Sequence, residues 1–307
     1  MTSVAPGTLD RLRGADFLDI AQLDSEQLRA ILDLASDIKA GRWSNTPLAG
    51  RSLALVFQKP SMRTRVSFQV GIERLGGRAV MLTDQDIGLG RRESVADVAR
   101  VLDRYCDGIV ARLFAHQDLV DLADASERPV INALTDGSHP CQILADLMTI
   151  AEALGRLDAS THVAFVGDGN NVARSLVEAA ALLDFPLTVV TPPSYAPVVD
   201  AVAPGVRLTS DLGAVAGAAV VYTDVWTSMG QEAESEFRRA RFSEYQVNEA
   251  LMELAPGAVF MHCLPAHRGE EVTAGVIDGS RSIVFNQAEN RLWAQMALLA
   301  LIFAELR

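Results

Sequence analysis

The chain has 307 residues, of which 49% are hydrophobic and 21% charged, a composition that predicts a globular protein with a full core and room for two domains. Its 27 lysines and arginines are outnumbered by 39 aspartates and glutamates, which gives a formal net charge of −12. This acidic balance excludes general nucleic-acid binding, which needs a basic surface, so an anionic ligand would have to be held by a local cluster of cations.

The three cysteines, Cys106, Cys141 and Cys263, form no Cys-x-x-Cys pair, and their odd number argues against a disulfide framework. We therefore expect a reducing compartment, the cytoplasm. The first residues carry charges at Asp10 and Arg11 and no long apolar core, so no secretory signal is expected. The best membrane candidate, residues 296–304, is far too short to span a bilayer, so we expect no membrane partner.

Apolar runs without polar alternation recur through the first half of the chain, and amphipathic stretches separate them. This pattern is typical of parallel strands that helices cover on both faces. The predicted strands cover residues 53–57, 79–82, 108–112 and 130–132, and the predicted helices cover residues 25–40, 65–75, 94–105, 116–125 and a segment that begins at His139.

A polar segment, residues 155–160, ends that last helix and marks the change to a second alternating series. In this series the predicted strands cover residues 163–166, 187–190, 206–208, 220–223 and 258–261, and the predicted helices cover residues 172–183, 248–254 and 287–306. The expected fold is α/β, with two domains that each contain a parallel sheet flanked by helices. Ligands of open parallel sheets bind beyond the carboxyl ends of the strands, so we expect one cleft between the two sheets.

The segment Ser61-Met62-Arg63-Thr64-Arg65 follows the first predicted strand and opens a helix, with Ser61 near the N-cap. Backbone N–H groups and the helix dipole favour an anion at such a position, and two arginines and two hydroxyls add further donors. The simpler interpretation is a capped helix with solvated arginines. The segment is not a Walker loop, because it lacks Gly-x-x-x-x-Gly-Lys.

A Gly-x-Gly sequence, Gly167-Asp168-Gly169, follows a predicted strand and precedes a predicted helix. This arrangement raises the possibility of a dinucleotide site. Val172 occupies the third glycine position, however, and no acidic residue follows the next strand at Val190. We therefore do not expect a nicotinamide cofactor.

Two more loops carry chemical groups. His139-Pro140-Cys141-Gln142 opens a helix, and His262-Cys263-Leu264-Pro265 ends an apolar run. Together with Ser-x-Arg-Thr-Arg, the His-Pro-x-Gln sequence resembles the carbamoyl phosphate site of the aspartate and ornithine carbamoyltransferases. Asp224-Val225-Trp226-Thr227-Ser228-Met229-Gly230 and His-Cys-Leu-Pro look like the ornithine branch of that family in particular. The resemblance covers nearly the whole chain.

The resemblance implies that Arg63, Thr64 and Arg112 hold the phosphate and that His139 points at the carbonyl oxygen, where negative charge develops. Without the family, a lone histidine before proline is more often a helix-capping residue. The implied carbamoyl phosphate site comprises Ser61, Met62, Arg63, Thr64, Gly88, Arg112, His139, Pro140, Cys141, Gln142, Cys263, Leu264 and Arg291. The implied catalytic residues are Arg63, Arg112, His139 and Cys263.

The family also implies how the carbamoyl NH2 group is held. Gln142 and the main chain around Cys263-Leu264 would accept its hydrogen bonds, with Arg291 on the other side of the group.

Ornithine would be bound by a second set of residues, which comprises Asn171, Asp224, Ser228, Met229 and Cys263. The carboxylate of Asp224 would meet the α-ammonium group, and Cys263 would hydrogen-bond the side-chain amine. By default a cysteine at a strand end is only buried packing. The polar stretch from Ser228 to Arg241 is most often plain surface loop, whereas in the family it closes over the amino acid and excludes water.

Two positions depart from the family pattern. Met62 stands where a threonine or serine is usual, so one hydroxyl donor is missing. Relatives place a glutamine or histidine that reaches into a neighbouring subunit at the position of Gly88, while Gln85 lies three residues earlier. Whether Gln85 or the backbone at Gly88 makes that contact stays open.

The resemblance implies a carbamoyl phosphate domain over residues 1–142, an ornithine domain over residues 143–286, and a C-terminal helix, residues 287–307, that returns to the first domain. It implies carbamoyl transfer to L-ornithine for arginine biosynthesis, no metal or organic cofactor, and a homotrimer. Two rivals are a carbamoyltransferase for aspartate, putrescine or an acylated ornithine, and a catalytically silent relative that only binds a partner.

Overall fold

A computed structural model of the chain describes residues 10–230 and 232–304, with the side chain of Glu232 outside that description. The first nine residues and the predicted end of the last helix at Leu306 lie outside the described residues. Within the described part, no helix is both long and apolar enough to cross a membrane. The chain divides into two compact units, one formed by Met1–Met148 with Asn290–Arg307 and the other by Thr149–Glu289.

The first unit is a parallel sheet with strand order β2-β1-β3-β4. Its strands are β1 (Ser52–Phe57), β2 (Arg78–Thr83), β3 (Gly108–Arg112) and β4 (Val130–Leu134). Its helices are α1 (Ser25–Lys39), α2 (Met62–Arg74), α3 (Asp84–Ile87), α4 (Val95–Tyr105), α5 (His116–Ala125) and the start of α6 (Pro140–Leu154). β3 and β4 are buried along their whole length, as the continuous apolar runs predict.

The second unit is a parallel sheet with strand order β7-β6-β5-β8-β9. Its strands are β5 (Val163–Val166), β6 (Leu187–Val190), β7 (Val206–Thr209), β8 (Val220–Thr223) and β9 (Val259–His262). Its helices are α7 (Asn171–Leu183), α8 (Ser235–Phe242), α9 (Glu249–Met252), α10 (Ala274–Ile277) and the start of α11 (Val284–Ile302). Both predicted parallel sheets are therefore confirmed.

The chain passes from the first unit to the second within α6 and returns within α11, so both divisions fall inside helices. Residues 143–148 belong to the first unit, and residues 287–289 belong to the second. Gln287 stays with the second unit because its Oε1 accepts a hydrogen bond from the backbone N–H of His262, 2.9 Å away. Arg291 belongs to the first unit, where it donates to Thr64 and Gln142. The ligand assigned to each predicted domain stays a prediction.

The polar stretch that follows Gly230 is not a plain loop. It forms a short 3-10 helix, Glu232–Glu234, and then α8. The sequence did not indicate α8 because this helix is rich in charged residues and buries only Arg238 and Phe242. α11 begins at Val284, three residues before the predicted start at Gln287.

Each sheet has a point where its strand order reverses. In the first unit this point lies between β1 and β3, and in the second it lies between β5 and β8. Loops diverge from the carboxyl ends of the strands at such a point and leave a crevice where ligands of open α/β sheets bind.

Gly169, just past β5, marks a close approach of two backbone segments. Its N–H donates to the carbonyl oxygen of Tyr195 at 2.9 Å. A Cβ at this position would lie 2.3 Å from the backbone nitrogen of Pro197 and 2.4 Å from the carbonyl oxygen of Tyr195. Only glycine fits here without displacement of the main chain.

We expect Gly169→Ala to lower the Tm by several degrees, because overpacking against backbone costs about 1–3 kcal/mol. The matched control is Gly257→Ala, since nothing lies within 4 Å of the added methyl group there. Differential scanning calorimetry of both variants measures the effect. An unchanged Tm for Gly169→Ala would contradict the close approach.

Candidate active site

The loop after β1 forms a capped helix start in the first unit. Ser61 is the N-cap of α2, and its hydroxyl accepts from the N–H of Thr64 at 3.3 Å. Arg63 is half-buried in the first turn of α2, whereas the Met62 side chain is 71% exposed. The predicted N-cap is therefore confirmed, and the Met62 side chain points to solvent. Any contribution of Met62 to an anion site would come from its backbone.

A buried chain of hydrogen bonds connects three elements of the first unit. Arg291 donates through Nη2 to the hydroxyl of Thr64 at 3.1 Å and through Nη1 to Oε1 of Gln142 at 2.6 Å. The Nε2 of Gln142 donates to Oδ1 of Asp146 at 2.8 Å. Because Asp146 is fully buried and holds the amide nitrogen, the oxygen of Gln142 faces Arg291. The predicted residues Thr64, Gln142 and Arg291 are thus brought together.

His139 lies directly before α6 and is 5% exposed. Burial lowers the pKa of its imidazole well below the ordinary value, and the positive charges of Arg291, Arg112, Lys59 and Arg63 lower it further. His139 is therefore neutral at physiological pH and can donate a single N–H. Four cations around a neutral histidine form a local positive site in an acidic protein, which suits an anion.

Lys59 also belongs to this positive site, although no sequence motif indicated it. Its side chain is almost fully buried and forms an ion pair with Asp136. Its Nζ also lies 4.6 Å from the centroid of the Phe114 ring, which is a cation–π contact. The position of Lys59 two residues before Ser61, at the end of a buried strand, is the signal that could have identified it.

Three further predicted positions of the first unit, Pro140, Cys141 and Gly88, also have structural roles. Pro140 is the first residue of α6, where its missing N–H costs nothing. Cys141 donates to the carbonyl oxygen of Asn132 at 3.2 Å, and burial raises the pKa of its thiol to about 12, so it is not a nucleophile. Gly88 ends α3 with a φ of 63°, past the edge strand β2.

In the second unit, the register of the strands brings Asp224 and Cys263 together. Val166 of β5 pairs with Thr223 of β8, and Thr223 pairs with His262 of β9. The residues that follow these strands therefore share one edge of the sheet. The Sγ of Cys263 donates to Oδ1 of Asp224 at 2.9 Å.

Asn170 fixes the other oxygen of Asp224, and the sequence analysis missed this residue. Its Nδ2 donates to Oδ2 of Asp224 at 2.7 Å. Its Oδ1 accepts from the N–H groups of Val172 and Ala173, so Asn170 is also the N-cap of α7. The predicted ligand Asn171 is the next residue, half-buried at the start of α7.

Ser228 and Met229 follow Trp226 in the loop after β8, with Ser228 half-buried and Met229 exposed. This loop is anchored by Arg238 of α8, which donates to the carbonyl oxygen of Trp226 at 2.6 Å and forms an ion pair with Asp168. Burial raises the pKa of Asp168 to about 6, against the opposing effect of the Arg238 charge. The anchor lies on the helix that the sequence did not predict.

The Gly-x-Gly sequence does not form a dinucleotide site. In such sites the second glycine lets the pyrophosphate approach the backbone. Here the backbone of residues 195–197 occupies the space beside Gly169. The structure thus supports the expectation against a nicotinamide cofactor on steric grounds.

Donor atoms of Asp224, His262 and Cys263 lie within 4.8 Å of one another, as metal ligands do. Both ring nitrogens of His262 are already hydrogen-bonded, however. Nδ1 pairs with the N–H of Leu264 at 2.9 Å, and Nε2 pairs with Oε1 of Glu271 at 3.1 Å. His262 therefore has no uncommitted ring nitrogen for a metal ion. The short distances among the three residues are explained by hydrogen bonds.

Comparison with known proteins identifies the family. A family model described as the aspartate/ornithine carbamoyltransferase carbamoyl-P binding domain matches residues 15–152, and the corresponding Asp/Orn binding domain model matches residues 159–302. Ornithine carbamoyltransferase from Deinococcus radiodurans is 48% identical over 304 residues, which cover 96% of this chain and 99% of the relative. The protein of that name from Symbiobacterium thermophilum is 49% identical over 309 residues, with coverage of 95% and 99%.

Solved structures indicate the same family. Ornithine carbamoyltransferase from Pyrococcus furiosus superimposes with a TM-score of 0.91 at 47% identity, covering 96% of this chain and 99% of that one. The enzyme from Thermus thermophilus gives a TM-score of 0.85 at 44% identity, with coverage of 94% and 99%. By sequence and by fold, the chain belongs to the aspartate/ornithine carbamoyltransferase family.

Proposed function

We propose that the protein transfers the carbamoyl group of carbamoyl phosphate to the side-chain amine of L-ornithine, giving L-citrulline and phosphate as a step of arginine biosynthesis. The observation that carries the proposal is the positive site around His139, which offers four cations and one neutral donor to a phosphorylated ligand. The full-length similarity to proteins named ornithine carbamoyltransferase supports the choice of acceptor.

In this proposal the first unit binds carbamoyl phosphate. Arg63, Thr64 and Arg112 hold the phosphate, which is the leaving group, and charge-assisted hydrogen bonds stabilise its developing charge. The neutral His139 donates to the carbonyl oxygen as that oxygen becomes negative. Gln142, oriented by Asp146 and Arg291, offers an oxygen to the carbamoyl NH2 group.

The second unit binds the amino acid. Asp224 faces the α-ammonium group, with Asn171 and the loop at Ser228 and Met229 around the remaining polar groups. Cys263 lies beside the position of the attacking amine. The neutral amine forms the new C–N bond, the bond from carbon to the phosphate oxygen breaks, and the amine releases a proton. Catalysis then consists of positioning and electrostatic stabilisation, without a covalent enzyme intermediate.

We also propose a cytoplasmic homotrimer, as the family resemblance implies. Exposed apolar side chains on the first unit support an assembly: Met62 is 71% exposed, Val66 is 51% exposed, and Val80 on the edge strand β2 is 43% exposed. An edge strand beside apolar side chains is a surface that proteins commonly cover. The described cysteines form no disulfide, which is consistent with a reducing compartment.

Arg63→Ala should weaken carbamoyl phosphate binding by about 10-fold to 150-fold, since a hydrogen bond from a charged donor contributes about 1.5–3 kcal/mol. The matched control is Arg65→Ala on the same helix, because Arg65 is exposed and bonds only weakly to Gln69 at 3.3 Å. Steady-state kinetics with carbamoyl phosphate varied, together with inhibition by inorganic phosphate, measure both variants. Equal constants for Arg63→Ala and the wild type would place the anion site elsewhere.

The pH dependence should follow the substrate amine. An alkylamine has a free pKa of about 10.4, and only its neutral form attacks, so kcat/KM for ornithine should rise between about pH 7 and pH 9. His139 should add no step near its ordinary pKa, because burial and the neighbouring cations keep it neutral there. The profile is measured at saturating carbamoyl phosphate, with viscosity varied to identify limitation by diffusion. A flat profile with chemistry rate-limiting counts against attack by a free amine.

L-Ornithine should exceed aspartate, putrescine and N-acetylornithine by at least about tenfold in kcat/KM, which needs only about 1.4 kcal/mol of differential binding in the transition state. Aspartate carries no side-chain amine, and its second carboxylate would face the carboxylate of Asp224 unfavourably. Putrescine lacks the α-carboxylate, and N-acetylornithine lacks the α-ammonium group. The measurement is kcat/KM for all four acceptors at saturating carbamoyl phosphate.

Asp224→Asn tests the same assignment from the protein side, because it should weaken ornithine much more than carbamoyl phosphate. If another acceptor equals ornithine, the acceptor assignment fails while carbamoyl transfer stands. If none of the four is carbamoylated, the protein is the silent relative.

A further inference from the structure

Behind the loop that carries Cys263 lies a buried pair that the proposed reaction does not use directly. His262 is the last residue of β9 and is completely buried, and Glu271 is 1% exposed. The Nε2 of His262 lies 3.1 Å from Oε1 of Glu271, and the Nδ1 of His262 lies 2.9 Å from the backbone nitrogen of Leu264. One imidazole therefore connects a buried carboxylate to the main chain just after Cys263.

These contacts determine the tautomer of His262. The backbone N–H of Leu264 can only donate, so Nδ1 must accept and cannot carry a proton. The ring proton is then on Nε2, which donates to the carboxylate of Glu271. Without Glu271 either nitrogen could be protonated, and a proton on Nδ1 would face the N–H of Leu264 and break that hydrogen bond.

Glu271 is itself held in place and ionised. Its Oε1 also accepts from the N–H of His267 at 2.6 Å. Burial alone would raise the pKa of this carboxyl, but the hydrogen bonds from the side chain of His262 and the backbone of His267 outweigh it and hold the pKa below the ordinary value. The carboxylate is thus a fixed acceptor for the histidine.

The main chain at Leu264, which donates a hydrogen bond to His262, has an unfavourable backbone conformation. Leu264 has a φ of 56°, in the left-handed region that a branched side chain rarely adopts. On the other side, the backbone N–H of His262 is fixed by Oε1 of Gln287. Cys263 lies between these two fixed points, and its Sγ donates to Asp224.

We propose that Glu271 is a positioning residue for carbamoyl transfer, because it holds His262 as the Nε2–H tautomer and His262 in turn holds the Cys263-Leu264 turn in its site geometry. The inference rests on the proposed function, in which Cys263 meets the attacking amine. Glu271 itself touches no substrate and acts through two hydrogen bonds and one backbone segment.

Three variants test the proposal in the full chain. Glu271→Ala removes the acceptor, and Glu271→Gln restores a neutral acceptor of nearly the same shape. The matched control is Glu270→Ala, because the adjacent Glu270 points outward to an ion pair with Arg239 at 2.8 Å. Circular dichroism and Tm establish that each variant folds, and kinetics are then measured with each substrate varied.

We expect Glu271→Ala to lower kcat/KM for ornithine at least tenfold while KM for carbamoyl phosphate changes less than twofold. Glu271→Gln should recover most of this loss, and Glu270→Ala should match the wild type within twofold. A role in stability alone predicts a lower Tm with the kinetic constants of the folded fraction unchanged, and this result would overturn the proposal.

A second measurement does not depend on activity. Iodoacetamide labels thiols, and peptide mass spectrometry separates Cys263 from the buried Cys106 and Cys141. The alkylation rate of Cys263 should change at least threefold in Glu271→Ala, return towards the wild-type value in Glu271→Gln and stay unchanged in Glu270→Ala. If Glu271→Ala does not fold, Glu271→Asp takes its place, because the shorter side chain withdraws the carboxylate from Nε2 of His262. A change of at least threefold in the Cys263 rate then supports the link, and a rate equal to that of Glu270→Ala contradicts it.

The two measurements separate two kinds of failure. Absence of citrulline formation by the wild type, with an altered Cys263 rate in the Glu271 variants, would refute the proposed function and keep the structural link. Normal wild-type activity, with neither the kinetic constants nor the Cys263 rate affected by the Glu271 variants, would refute the positioning role.

Discussion

The register of parallel strands is the constraint on which the site depends. The register aligns the last residues of β5, β8 and β9, which are Val166, Thr223 and His262. The loops that follow these three strands therefore begin at the same edge of the sheet. Side chains that follow them in sequence, separated by dozens of residues along the chain, then converge at the point where the strand order reverses. A shift of one residue in β8 or β9 would turn the side chains of that strand to the opposite face and separate Asp224 from Cys263.

Within each unit the polar groups of the site are held by hydrogen-bonded partners. Asp146 orients Gln142, Asn170 holds Asp224, and Glu271 holds His262. Each partner fixes which atom of the functional side chain faces the site. A buried polar group that is only partly satisfied is costly, so a satisfied network favours a single arrangement. Preorganisation of this kind lets dipoles stabilise developing charge without reorganisation at the moment of reaction.

Much of the fold follows from local sequence pattern. β3, β5, β6 and β8 have the bounds that the apolar runs predict, because each run is buried on both faces and ends at a polar or breaking residue. α5 also has its predicted bounds, because it is an amphipathic helix that buries one apolar face. α8 escaped prediction because Arg238, a charged residue, provides much of its buried surface. The stacking of Arg238 on the rings of Tyr195 and Phe242 is a tertiary effect that no periodicity indicates.

The site residues also divide into those that local sequence motifs indicate and those that only tertiary contacts show. Arg63, Thr64, His139 and Asp224 are placed by short motifs at strand ends and were identified by family resemblance. The motifs did not indicate Lys59, Asn170 and Glu271, because each acts through a hydrogen bond or ion pair that only the folded structure shows. Asn170 is also the N-cap of α7, and this common role explains the residue without any contact to Asp224. The hydrogen bond from Asn170 to Asp224 could therefore not be predicted from the sequence.

The electrostatics of the first unit connect the fold to the choice of ligand. Arg63, Arg112, Arg291 and Lys59 surround His139 in a chain whose net charge is −12. Grouping like charges is unfavourable, and the ion pair of Lys59 with Asp136 offsets part of this cost. A phosphorylated ligand offsets this repulsion, whereas a neutral ligand does not. In the proposed reaction, the arrangement that keeps His139 neutral, and so able to donate to a developing oxyanion, is therefore the same one that favours an anionic ligand.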